Sequence, residues 1–135
     1  MKTTTLGRKD FTARDGYLCY DAALNVHGHL LIEGDLGRLK FKTSVAASGQ
    51  ITVAAGSGIE AGWGIEAGEG IVAGSGIKAG SGIEAGEGIE AKTLSVTLRI
   101  FAGLCMWCIP APEEMEIRAK VISGTVCHGT IIETT

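Results

Sequence analysis

Apolar and polar positions alternate along this chain in two registers at once. From Gly56 to Ala91 six hexads follow one another: GSGIEA, GWGIEA, GEGIVA, GSGIKA, GSGIEA and GEGIEA. Isoleucine recurs at Ile59, Ile65, Ile71, Ile77, Ile83 and Ile89, and alanine two places later at Ala61, Ala67, Ala73, Ala79, Ala85 and Ala91. In an extended chain residues i and i+2 share a face, so Ile and Ala point inward and the residue between them, such as Glu60 or Glu66, points outward. Each hexad predicts a short strand, and each G-x-G a corner in which glycine is expected to supply positive φ without a Cβ penalty. A helix is excluded because each interior glycine would cost about 1 kcal/mol. The unvarying Ile and Ala columns are what a flexible glycine-rich linker lacks.

Self-similarity at a fixed period predicts a solenoid, with three hexads making a coil of about 18 residues and neighbouring coils ~4.8 Å apart. The expected fold is all-β: a short triangular β-solenoid (β-helix) with β-rich terminal caps. The hexad rhythm runs back through LNVHGH from Leu24, LLIEGD, LGRLKF and KTSVAA, where Leu30, Ile32, Leu36, Leu39 and Phe41 take the place of alanine. One domain over 1–135 is expected, with an N-terminal cap over 1–23, the solenoid over 24–91 and a C-terminal β cap over 92–135. In that last segment Leu94, Val96, Leu98 and Ile100 alternate with polar residues, as do Met115, Ile117, Ala119 and Val121, which reads as two strands. Unpaired edges at solenoid ends are the reason caps are needed.

With the G-x-G-I-x-A hexads in view, the chain resembles the bactofilins, polymer-forming cytoskeletal β-solenoids, and the left-handed hexapeptide-repeat proteins, many of them acyltransferases. The resemblance covers Leu24 to Ala91 and is one of repeat period, so it implies a fold more than a function.

Composition narrows the picture. Glycine accounts for 21 of 135 residues and aromatics for 5%, so something other than an aromatic core organises the chain. Net charge is −3 and no run of Lys or Arg is present to neutralise a phosphate backbone, which argues against direct nucleic-acid binding. Every apolar run is interrupted short of the ~20 residues of a membrane helix. Lys2, Arg8, Lys9 and Asp10 near the N-terminus leave no apolar signal segment, so a cytoplasmic setting with reduced thiols is expected.

Chemistry-bearing residues are few. Cys105 and Cys108 form one C-x-x-C, with Cys127 and His128 downstream, which is half of a zinc signature; the four cysteines, Cys19 included, read as packing residues. His27 and His29 bracket Gly28 and read as outward polar residues. No nucleophile, base and orienting group can be named together, so neither catalysis nor a metal or cofactor is expected.

The remaining signal is charge. Between Gly56 and Ala91 there are six Glu and one Lys, a charge of −5 that leaves +2 for the rest of the chain. A uniform 18-residue coil stacks Lys42, Glu60 and Lys78 in one alternating column, but Glu66 over Glu84 and Glu69 over Glu87, with Glu90 on the next face. Trp63 is the one large residue among the corner positions Ser57, Glu69, Ser75, Ser81 and Glu87, all expected to face solvent. These residues point to a partner-binding face for a protein with a basic surface, made of Trp63, Glu66, Glu69, Glu84, Glu87 and Glu90. Rows of carboxylates imitate backbone phosphates, in the manner of the small acidic inhibitors that phages direct against defence nucleases, some anti-CRISPR proteins among them. Two other readings follow from the resemblance: a homo-oligomer or end-to-end polymer like the bactofilins, and an acyltransferase-like trimer.

Overall fold

The structure, a computed structural model, describes residues 2–14, 17–102 and 116–132. Strand β1 (Thr3–Leu6) leads through a short 3-10 turn (Arg8–Asp10) to β2 (Thr12–Arg14) and β3 (Tyr17–Tyr20). Three-strand coils follow: β4 (Leu24–Val26), β5 (His29–Ile32) and β6 (Gly37–Phe41), then β7 (Val45–Ala47), β8 (Ile51–Val53) and β9 (Ser57–Ala61), then β10 (Ile65–Ala67), β11 (Ile71–Ala73) and β12 (Gly76–Ala79). Strand β13 (Gly82–Ala85) opens a further coil that β14 (Ile89–Ala102) continues, and β15 (Glu116–His128) and β16 (Thr130–Ile132) complete the stack. The result is a β-solenoid of about four turns. Among the described residues no helix is long and apolar enough to cross a membrane.

Three faces run the length of the prism. Face I stacks β4, β7, β10, β13 and the end of β14, with Leu24, Val45, Ile65, Ile83 and Ile100 in one parallel column. On face II, β5, β8, β11 and the start of β14 align Leu30, Ile51, Ile71 and Ile89, with β1 joined below β5. Strands β3, β6, β9, β12 and the middle of β14 build face III, with Leu18, Leu39, Ile59, Ile77 and Leu94 in register. The segments after Ala91 stay in parallel register on the hexads, and Ile117 and Ile131 continue the Ile89 column.

Every hexad Ile and Ala is buried, none more than 5% exposed. Burying one such isoleucine stabilises the fold by roughly 1.5–3 kcal/mol, which is why so short a repeat can hold a core without aromatics. Larger side chains, Leu30, Ile32, Leu39 and Phe41, fill the earlier coils. At the N-terminal end Phe11 packs edge-on against Tyr20 and Phe41, with ring centroids 6.1 and 5.8 Å apart, and β2 turns antiparallel to β3. That end of the core is plugged.

Coil length departs from the uniform value the hexads suggest. The step from Leu18 to Leu39 is 21 residues, from Leu39 to Ile59 20, from Ile59 to Ile77 18 and from Ile77 to Leu94 17. The column expected to contain Lys42, Glu60 and Lys78 therefore contains Lys40, Glu60 and Lys78. Up to β14 the variation falls at the corner between faces II and III. There Asp35 (φ 57), Gly37 (φ 76) and Gly56 (φ 84) adopt left-handed backbone that takes up the additional residues. Ser57, expected to face solvent, is instead fully buried at this corner: its hydroxyl donates to the Glu33 carbonyl (2.7 Å) and accepts the Leu36 N–H (3.1 Å).

The reason for glycine in the hexads also differs from the expectation. Within 56–91 only Gly56 has positive φ. At Gly62 and Gly68 the cause is close approach: a Cβ there would run into the backbone carbonyl oxygen of Lys42 or Ser48 in the coil below. The second glycine of a corner is less crowded, since a Cβ on Gly64 would sit 3.3 Å from the Gly82 oxygen.

Candidate functional site

Face I and the corners on either side of it gather five of the six residues singled out by the sequence. Glu66 and Glu84 are outward residues of β10 and β13 and stand directly opposite each other, in register between Ile65↔Ile83 and Ala67↔Ala85. Both are exposed. The positions below them in the column are the uncharged Ala46 and Asn25. At the corner between faces I and II the Glu69 N–H donates to Gly49 (3.1 Å) and the Glu87 N–H to Glu69 (3.3 Å), so these two glutamates also stack. Adjacent coils lie ~4.8 Å apart and three extended residues span ~10 Å, so the four carboxylates are rooted on a patch of about those dimensions.

At the opposite corner, between faces III and I, Trp63 is held by its backbone: its N–H donates to the Thr43 carbonyl (2.9 Å) and its own carbonyl accepts the Ser81 N–H. The residue is 63% exposed. Below it the Thr43 hydroxyl oxygen is buried without a hydrogen-bond partner. Between this corner and the glutamate column lies a shallow depression of about 260 Å³, floored at Gly64 and Gly82 and edged by Ser44, Ala46, Glu66 and Glu84. Glycine opens it, since neither Gly64 nor Gly82 fills the space a side chain would occupy.

Glu90 stands apart. It is the outward residue of face II, in register between Val72 and Arg118, so its cross-strand neighbour on one side has the opposite charge. Face III has the alternating charge expected of a solvated sheet: Lys78 Nζ lies 3.8 Å from Glu60 Oε1, and Lys40 pairs in register on the other side of Glu60.

The structure adds a residue the sequence reading set aside. His27 and His29 do not share a strand; they flank a corner made by Gly28 (φ 122), with His27 exposed and His29 opening β5. The His29 ring reaches across Gly49 to Glu69, with Nδ1 3.5 Å from Oε2. Coil lengths read in full would have revealed it, because the steps of 20 and 21 place Gly49 between Gly28 and Glu69.

Cys105 and Cys108 lie outside the described residues, and Cys19 is a free, half-buried cysteine on face III. Among the described residues no group of three or more His, Cys, Asp or Glu is placed to hold a metal ion.

Fold and face together define a β-solenoid with one acidic side. No family model matches the chain, and no curated protein or solved structure matches it.

Proposed function

We propose that the protein is a non-enzymatic binding module whose acidic face engages the basic surface of a protein partner, occupying a groove that otherwise receives nucleic-acid phosphates and so inhibiting its owner. The observation that carries this reading is the register of Glu66 on Glu84 beside Glu69 on Glu87. Like charges directly opposite each other are unfavourable for folding, so a solvated face would be expected to alternate, as face III does. A rigid sheet also fixes the backbone positions from which the four carboxylates extend, which reduces the backbone ordering cost on association. The exposed Trp63 at the edge of the same face adds an apolar anchor of the type enriched at binding hot spots.

The hexapeptide-repeat resemblance enters here as architecture only. End-to-end assembly of the bactofilin kind would need open cores at both ends, and Phe11 with Tyr20 and Phe41 closes one of them.

The test is charge reversal. Replacing Glu66, Glu69, Glu84 and Glu87 with Lys is expected to abolish binding to a basic nucleic-acid-binding domain while leaving the β circular-dichroism spectrum unchanged. Salt should weaken the wild-type complex, since exposed charges are screened beyond ~8 Å near physiological ionic strength. Unchanged affinity in the reversed protein would leave the acidic face as a solubility device.

A further inference from the structure

We propose that His29 is a proton-operated latch on the acidic corner. When neutral, its Nδ1 accepts the backbone N–H of Gln50; when protonated, the same nitrogen donates to Glu69 and cancels one charge of the face. The geometry places both partners within reach of one atom. Nδ1 lies 2.9 Å from the Gln50 amide nitrogen and 3.5 Å from Glu69 Oε2. The amide is only a donor and needs a lone pair on Nδ1, whereas the carboxylate is only an acceptor and needs a proton there. A single nitrogen satisfies one or the other. Protonation therefore exchanges a bond that ties the corner to the coil for an ion pair with the binding face.

Gly49 makes the arrangement feasible, because a Cβ at that position would sit 2.5 Å from Nδ1 and displace the ring. The ring and Glu69 are about equally open to solvent, with side chains 35% and 37% exposed, so protons reach the pair freely. The charged and titratable groups around His29 are Glu69 and, one coil further, Glu87 on the same corner; His27 across Gly28; and Lys2 on the β1 side, whose carbonyl accepts the His29 N–H. The Glu69 carboxylate already stands 3.5 Å from Nδ1, so the protonated ring has an acceptor waiting. The exchange needs one added proton on Nδ1 and no other change in the chain. Its effect on partner binding rests on the acidic-face reading above; the exchange of partners does not.

The experiment has two arms. In the first, long-range ¹H–¹⁵N correlation at about pH 8 should show His29 with Nδ1 unprotonated, and the protection factor of the Gln50 amide should fall about fivefold on going to about pH 5.5. His29→Asn retains a side-chain oxygen for the same amide and does not titrate, so its Gln50 protection should stay constant between the two conditions. A protonated Nδ1 at the higher pH, constant protection in the wild type, or an equal fall in His29→Asn overturns the latch. In the second arm, affinity for an oligolysine peptide at fixed ionic strength should fall more in the wild type than in His29→Asn over the same interval. If the first arm behaves as expected and both proteins lose affinity equally, the latch stands and the acidic-face reading fails.

Discussion

A single position in the repeat can carry opposite environments in different coils. Ser57 and Ser81 occupy the same place in their hexads, yet Ser57 is fully buried with two hydrogen bonds and Ser81 is exposed. Removing a buried hydroxyl leaves the Leu36 N–H and the Glu33 carbonyl without partners, and an unsatisfied buried group costs about 1–3 kcal/mol. Ser57→Ala is expected to lower unfolding free energy by that amount in a urea titration, while Ser81→Ala stays within about 0.5 kcal/mol of wild type. Equal effects would mean that the corner between faces II and III does not depend on this hydroxyl.

Corners, as elements, are built by approach of backbone to backbone. Gly62, Gly68 and Gly80, each the first glycine of its G-x-G, pack the Cα side against a carbonyl of the coil below, whereas the second glycines Gly58, Gly64 and Gly70 have more room. Gly68→Ala is therefore expected to destabilise by about 1–3 kcal/mol through overpacking, and Gly64→Ala by less than half as much. Thermal unfolding of the two variants checks this ordering. If the cost at both sites matched, crowding between coils would not be the reason for the repeat. The same tight spacing keeps Glu66 against Glu84 and Trp63 against Ser81, so the corner geometry that stabilises the stack also fixes the candidate binding face.

At the scale of the molecule, charge is sorted by face. Face III alternates Lys40, Glu60 and Lys78, whereas face I and its corner carry four glutamates in two like-charged pairs. Each coil contacts mainly its neighbours, so stability is close to a sum of coil and interface contributions, and a favourable cross-strand pair adds to it locally. Glu66→Lys turns one repulsive pair into an attractive one and is expected to raise stability by about 0.2–1 kcal/mol. The same change should weaken binding to a basic partner. A variant that gains stability and loses its partner is the signature of a face kept for function; one that gains stability and binds as well as before is the signature of a solvated surface.

The hexad period, the inward Ile and Ala columns and the stacking of Glu66 on Glu84 were legible in the sequence, because side-chain alternation in a strand and a six-residue repeat are local properties. So was the prominence of Trp63, which departs from the composition of its column. The length of the earlier coils was not legible, since Asp35, Gly37 and Gly56 absorb additional residues through backbone conformations that no hydrophobic pattern records. That one uncertainty moved Lys42 out of the Glu60 column and Lys40 into it. It also hid His29, whose meeting with Glu69 depends on the cumulative length of two coils rather than on any neighbour in sequence. Local chemistry dictated which way each strand faces; only the closed path of the chain around the prism decided which outward residues meet, because that depends on the summed lengths of the corners between them.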